Sequence, residues 1–198
     1  VKVTDIDGCV GWGECWANWP AVGAEHRARL AEDFAERVVG RPFESPSALF
    51  HHLSSSLEVL ALQTGEIGPI AQAIAGIDIA VWDLLARKQG KPLYRMLRDQ
   101  PVQRVPVYAT GINPDQPEVF AAARQAEGHR AFKLKTGFGH DIDVRNLQNM
   151  RRVLGDSAVI TCDSNQSQTL ASATEFVRAI ADLKLEWFEE PLRIDTPV

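Results

Sequence analysis

The chain has 198 residues, 45% of them hydrophobic and 24% charged, with a formal net charge of −5. That is enough apolar material for a packed core, and mild acidity with no basic run argues against a nucleic-acid partner. No apolar stretch reads as long enough to span a membrane, and Cys9, Cys15 and Cys162, odd in number and without zinc-ligand spacing, read as reduced thiols of a cytoplasmic protein.

Residues 1–15 read as a hairpin, because Asp7-Gly8 stands between two extended runs and is a strong turn signal. Trp16 to Val22 hold two tryptophans and a proline without periodicity, so they read as a loop that folds down onto something. A helix is expected from about Ala24 to Val39, with Leu30, Phe34 and Val38 on one stripe and Gly40 as its stop. A second helix runs from Pro46 to about Leu62. Gly68-Pro69 opens a third, from Ile70 to about Lys88, whose Ala71, Ala73, Ala75, Gly76 and Ala80 permit close packing. Leu93 to Leu97 make a short further turn.

From about Val102 the texture changes to alternating strand and helix. Strands are expected at 105–110, 133–137, 159–165 and 185–189, and helices at 117–127, 141–154 and 170–183. Such alternation argues for a parallel sheet with helical crossovers. Four strands of this kind are half of a closed barrel. An open doubly wound sheet is the alternative, although no Gly-rich phosphate turn follows the first strand. The domain boundary is placed at 100/101. The chain opens inside a strand without an initiator Met and stops just after Pro191 with no terminal helix, so flanking chain is expected at both ends.

Three successive strands end in Lys133-Leu134-Lys135, Asp163-Ser164-Asn165 and Glu189-Glu190-Pro191. Polar groups at the carboxyl ends of consecutive parallel strands are where (β/α) barrels keep their chemistry. Phe132 and Leu134 mark one face of their strand, and Lys133 and Lys135 the other. A solvated edge strand would carry two lysines innocently, but two interior ammonium groups without a function are costly. At about 7 Å their repulsion is about 2.4 kcal/mol at an effective dielectric near 20, which would depress one lysine and suit it to act as a base. Asp163, Asn165 and Thr161 share a face, as do Glu189, Trp187 and Leu185. Asp163 and Glu189 then point to the same barrel mouth as Lys135 and offer hard oxygens to Mg²⁺. Simple pairing of these carboxylates with the lysines is the plainer reading. Glu190, of opposite parity, is expected just outside that group. Thr110, taken as the end of the first strand, could reach a substrate oxygen. Of the five histidines only His140 lies where proximity to the site is worth checking.

These residues, together with Gly11-Trp12-Gly13-Glu14 and Ala75-Gly76-Ile77-Asp78-Ile79-Ala80-Val81-Trp82-Asp83-Leu84, resemble the enolase superfamily, in its mandelate racemase/muconate lactonizing enzyme branch. The resemblance implies an α/β protein: a partial (β/α)8 barrel at 101–198 preceded by an incomplete α+β capping domain at 1–100. It implies Mg²⁺ and abstraction of the proton α to the carboxylate of a small molecule, giving an enediolate stabilised by the metal. By position, Lys135 resembles the acid/base lysine, and Lys133 the neighbour that contacts the substrate carboxylate. Asp163 and Glu189 resemble two of three metal ligands. Trp16 to Pro20, with Trp16 and Trp19, resembles the mobile loop that closes over the site. The third ligand and the second acid/base are expected beyond Val198, so the 198 residues alone are expected to bind Mg²⁺ poorly and to lack turnover. A homo-oligomeric lyase or isomerase of a sugar acid or other hydroxy acid is expected, with dehydration favoured over racemisation. A Schiff-base aldolase using Lys135 as nucleophile, or a non-catalytic scaffold, is the alternative.

Overall fold

Asp5 organises the first turn of the chain. Its Oδ1 accepts the backbone N–H of Asp7 (3.0 Å) and of Cys9 (2.8 Å), and Gly8 supplies the left-handed φ of +83° that the turn requires. The flanking strands β1 (Lys2–Thr4) and β2 (Val10–Trp12) pair antiparallel with Lys2 opposite Trp12. The computed structural model describes residues 1–98, 100 and 102–195, and the chain divides into two compact units, Val1–Gln103 and Arg104–Val198.

In the first unit the hairpin is followed by α1 (Gly23–Phe34), α2 (Pro46–Thr64), α3 (Ile67–Lys88) and the short α4 (Leu93–Leu97). Ser45 caps α2 by accepting the Ala48 N–H at 3.1 Å, Pro46 occupies its first turn, and Gly65 ends it at φ +70°. Leu49, Leu53, Leu57 and Ala61 recur at i,i+4 and form the buried stripe. α3 begins three residues earlier than its sequence suggests, because a proline in the first turn forfeits no intrahelical bond. By length and composition α3 is also long and apolar enough to cross a membrane, which corrects the expectation that no stretch is. Here it is the central helix of the unit. Ile70, Ala73, Ile74, Ile77 and Ala80 are buried, and it packs against α1, α2 and both hairpin strands. Ala71 faces outward.

At Gly11 and Gly13 the hairpin segment meets α3 backbone to backbone, with no side chain between. A Cβ on Gly11 would overlap the Ala80 carbonyl oxygen and the Leu84 backbone nitrogen, and one on Gly13 the Gly76 carbonyl oxygen. Neither neighbour is a flexible side-chain end. Gly11→Ala is therefore expected to cost about 3 kcal/mol of stability, the upper range for overpacking. Urea unfolding measures it, and a loss under about 0.5 kcal/mol, the level of an ordinary surface change, would show that the seam has slack.

In the second unit β3 (Ala109–Ile112), β4 (Ala131–Lys135), β5 (Val159–Asp163) and β6 (Phe188–Glu189) form a parallel sheet in sequential order. The connections run through α5 (Pro117–Ala126), α6 (His140–Leu154) and α7 (Leu170–Ile180). Ala121 of α5, Leu147 and Met150 of α6, and Phe176 and Ile180 of α7 join one buried cluster with Phe132, Leu134, Ile160 and Cys162. All three helices thus cover the same face of the sheet. Strict sequential order with helices on one face is barrel winding and not the doubly wound alternative, so the unit is a partial (β/α) barrel.

Strand limits differ from their periodic reading, in β3 and β5 beside left-handed residues. Val105 to Tyr108 are not strand. β3 runs from 109 to 112 with its register broken around Gly111 (φ +74°), so Thr110 lies inside the strand and not at its end. β5 stops at Asp163, and Asn165 (φ +44°) stands beyond it. Leu185 precedes β6 and packs with the buried cluster on the helix side, away from Glu189.

Candidate active site

The sheet register puts three strand ends on one level. Lys135 is the register partner of Asp163, and Asp163 of Glu189. One level further in, Lys133 pairs with Thr161. Because alternate residues point to opposite faces, Lys133, Lys135, Asp163 and Glu189 all rise on the side away from the helices.

Their side chains touch. Lys135 Nζ donates to Asp163 Oδ2 at 2.6 Å and to Asn165 Oδ1 at 2.8 Å. Lys133 Nζ donates to Glu189 Oε1 at 2.9 Å and lies 3.4 Å from Asp163 Oδ2. Asp163 Oδ1 accepts the Asn165 backbone N–H at 2.9 Å, and Glu189 Oε2 accepts the Trp187 indole N–H at 3.2 Å. Every carboxylate oxygen in the group thus has a donor. The left-handed turn at Asn165 achieves what strand alternation was expected to do, bringing its amide back over the Lys135 ammonium.

Lys133 and Lys135 differ in access. The side chain of Lys133 is 10% exposed and that of Lys135 30%. Lys133 is enclosed by Glu189, Asp163 and the Tyr108 ring, whose centroid lies 5.5 Å from Nζ. Tyr108 meets Trp187 edge to face at 5.9 Å. These two aromatics form a wall; strand periodicity put Trp187 on the face of Glu189 but did not assign Tyr108 to the site.

The electrostatics correct the expectation of a depressed lysine in the case of Lys133. Burial pulls its pKa down, but the hydrogen bond and charge of Glu189, with the charge of Asp163, outweigh burial and hold it above its ordinary value. Burial likewise pushes the Asp163 carboxyl up, and Lys135, the Asn165 N–H and Lys133 together hold it below the usual aspartate range. Each lysine in the assembled group faces a carboxylate as well as the other lysine.

Other expected residues fall outside the cluster. Thr110 is exposed and makes none of the hydrogen bonds that join the group among the described residues. Glu190, at φ +44°, is exposed, and its backbone carbonyl accepts the Gln166 N–H at 2.7 Å. His140 stacks edge to face on Phe176, whose side chain belongs to the helix-side cluster, so it is not a site residue. Trp16 and Trp19 belong to the first unit and are 64% and 76% exposed.

A residue without a motif signal supports the group from behind. Asp143 of α6 is 2% exposed, and its Oδ2 accepts the N–H of Gly137 (2.8 Å) and Phe138 (3.2 Å) in the connection after Lys135. Burial raises its pKa despite these amides. Only its place on the same helical stripe as Leu147, Met150 and Leu154, where an apolar residue is the ordinary occupant, could have marked it.

The donor set fits a hard divalent cation in kind. Asp163 and Glu189 present carboxylates side by side from neighbouring strands, which suits Mg²⁺ better than a thiophilic metal. Among the described residues no group of three or more His, Cys, Asp or Glu is arranged to hold a metal ion. A cation between Asp163 and Glu189 would replace lysine contacts that these oxygens now make.

Comparison with known proteins gives the family and the fold. Residues 1–97 match the mandelate racemase / muconate lactonizing enzyme N-terminal domain, and residues 118–197 the enolase C-terminal domain-like family. D-galactarolactone cycloisomerase of Agrobacterium fabrum is 30% identical over 97% of this chain and 50% of its own length. The crystal structure of a mandelate racemase/muconate lactonizing enzyme from Bordetella bronchiseptica RB50 superposes with TM-score 0.94 at 50% identity, over 99% of this chain and 54% of that one. A racemase from Streptomyces coelicolor A3(2), solved with bound magnesium, superposes with TM-score 0.85 at 29% identity, over 98% and 58%. The chain thus spans about half the length of the relatives it matches.

Proposed function

We propose that this chain, which belongs to the mandelate racemase/muconate lactonizing enzyme family of the enolase superfamily, contributes a Lys-Lys-carboxylate half-site that removes the proton α to the carboxylate of a hydroxy acid or sugar acid. The observation that carries this reading is the level alignment of Lys135, Asp163 and Glu189 with the ion pairs that join them.

Lys135 is the base in this reading. It has the more accessible of the two ammonium groups, and Asp163 and Asn165 hold its Nζ at a fixed point. Once deprotonated, an amine held there accepts the substrate proton without searching for geometry. Lys133 is the fixed cation. Enclosed by Glu189, Asp163 and Tyr108, it faces the acid's carboxylate and does not leave. The α-proton is a very weak acid, so charge that is already in place must offset the dianion that develops as it departs. Asp163 and Glu189 would hold Mg²⁺, which when bound supplies the largest share of that positive charge. The Tyr108–Trp187 wall limits water on the side of Lys133.

Elimination of water is the outcome we favour over epimerisation, and a sugar acid the favoured substrate class. The kinship with a sugar-lactone cycloisomerase supports that class. The test uses the complete protein with a panel of acid sugars and small hydroxy acids in D₂O with Mg²⁺. Washing of deuterium into the α position of at least one acid is expected. No exchange with any of them, together with a covalent adduct trapped by borohydride on Lys135, would replace the reading with Schiff-base chemistry.

A further inference from the structure

The connection that follows Lys135 is held more firmly than a surface loop requires. Thr136 donates its N–H to the Asp163 carbonyl at 2.9 Å, and its hydroxyl lies 2.9 Å from the Ser164 hydroxyl. The next two amides, of Gly137 and Phe138, both go to Asp143 Oδ2, and the Asp143 N–H returns to the Gly139 carbonyl at 2.9 Å. Gly137 (φ +97°) and Gly139 (φ +132°) take up backbone angles that other residues rarely adopt. Asp143 Oδ1, meanwhile, is buried without a partner. A buried carboxylate with an orphaned oxygen is costly. That cost is not spent on capping α6, since Gly139 stands at the N-cap and no side chain caps the helix. It is spent on two amides that begin two residues beyond Lys135.

We propose that Asp143 is a positioning residue for Lys135, fixing the strand end from the helix side while the Asp163 carbonyl fixes it from the neighbouring strand. Lysine reaches its partner through four rotatable bonds, so the place of Nζ follows the place of its Cα. A shift of about 1 Å in a reacting group costs about a hundredfold in rate. The inference rests on the reading of Lys135 as the base.

The test compares Asp143→Ala and Asp143→Asn in the complete protein, each also in a Lys135→Ala background. Asp143→Ala is expected to lower kcat for α-proton exchange about a hundredfold with KM little changed. Asp143→Asn keeps one amide oxygen for both N–H groups and is expected to restore kcat to within about tenfold of the parent, since neutral acceptors bind amides somewhat less strongly than charged ones. In the Lys135→Ala background, Asp143→Ala is expected to add less than about threefold, the non-additivity of residues that act as a unit. A full hundredfold loss on top of Lys135→Ala, or no loss of kcat in Asp143→Ala, overturns the proposal. If the parent exchanges no acid at all, the reading of the site fails instead, and the proposal is decided by the reactivity of Lys135 towards reductive methylation. That reactivity is expected to rise in Asp143→Ala and not in Asp143→Asn, and an unchanged value in Asp143→Ala overturns it.

Discussion

Lys135→Ala in the complete protein should lower exchange of the substrate α-proton with solvent by about a thousandfold or more, as expected for loss of a positioned base. Mg²⁺ affinity should stay level or rise. The reasoning lies in the partners. Lys135 occupies Asp163 Oδ2 and Asn165 Oδ1, and its loss frees an oxygen that a cation would use. Asp163 is not left unpaired, because Lys133 remains 3.4 Å away and the Asn165 N–H remains on Oδ1. The fold should therefore survive and the effect should fall on chemistry. A thousandfold loss corresponds to about 4 kcal/mol of transition-state stabilisation. NMR of deuterium incorporation and calorimetric titration of Mg²⁺ separate the two quantities. Near-parental exchange would assign proton removal to another residue on that face.

Lys133→Met should instead strike stability, and do so conditionally. Methionine matches the length of the lysine stem but leaves Glu189 Oε1 without its cation partner and Asp163 with one lysine in place of two. Breaking a buried ion pair on one side costs about 3–5 kcal/mol. Glu189 keeps a third of its side-chain exposure, so a loss of about 2–3 kcal/mol without divalent cation is expected by the same reasoning. Saturating Mg²⁺ should recover much of it, because a ligand that binds the folded state stabilises in proportion to its affinity, and the variant has one fewer ammonium group to displace. Urea unfolding with and without Mg²⁺ reads both numbers. An identical loss in the two conditions would show that the cation does not take up the place beside Glu189.

The outline of this molecule is legible in its sequence because its periods are regular. Phe132 and Leu134 against Lys133 and Lys135 assign both faces of β4, and the structure buries the first pair in the helix-side cluster. The three strand ends that carry Lys135, Asp163 and Glu189 can be found from spacing alone, since strand, connection and helix lengths repeat. What could not be read is whatever the backbone does when it leaves that period. Gly111, Asn165 and Glu190 all lie in the left-handed region, and there the alternation on which face assignment rests stops. Thr110 was misplaced for that reason. Asn165 was credited to the right group through the wrong geometry. Tyr108 acts across long connections, on Lys133 of β4 and on Trp187 just before β6, while Asp143 reaches back from its helix to the turn that precedes it. No local pattern encodes the contacts of Tyr108. The raised pKa of Lys133 was not legible either, because it depends on carboxylates that only the assembled sheet brings beside it.

The bare seam between the hairpin and α3 has a consequence for how this sequence can vary. Every single-nucleotide change in a glycine codon that yields an amino acid other than glycine adds at least a Cβ. At Gly11 and Gly13 that first carbon already meets the backbone of α3. Most core positions can drift through neighbours of similar volume, with each step tolerated. These two have no such neighbour. Substitutions there would have to wait for a prior change that moves the helix, so the hairpin–helix contact is one of the places where this chain's history is locked in by geometry.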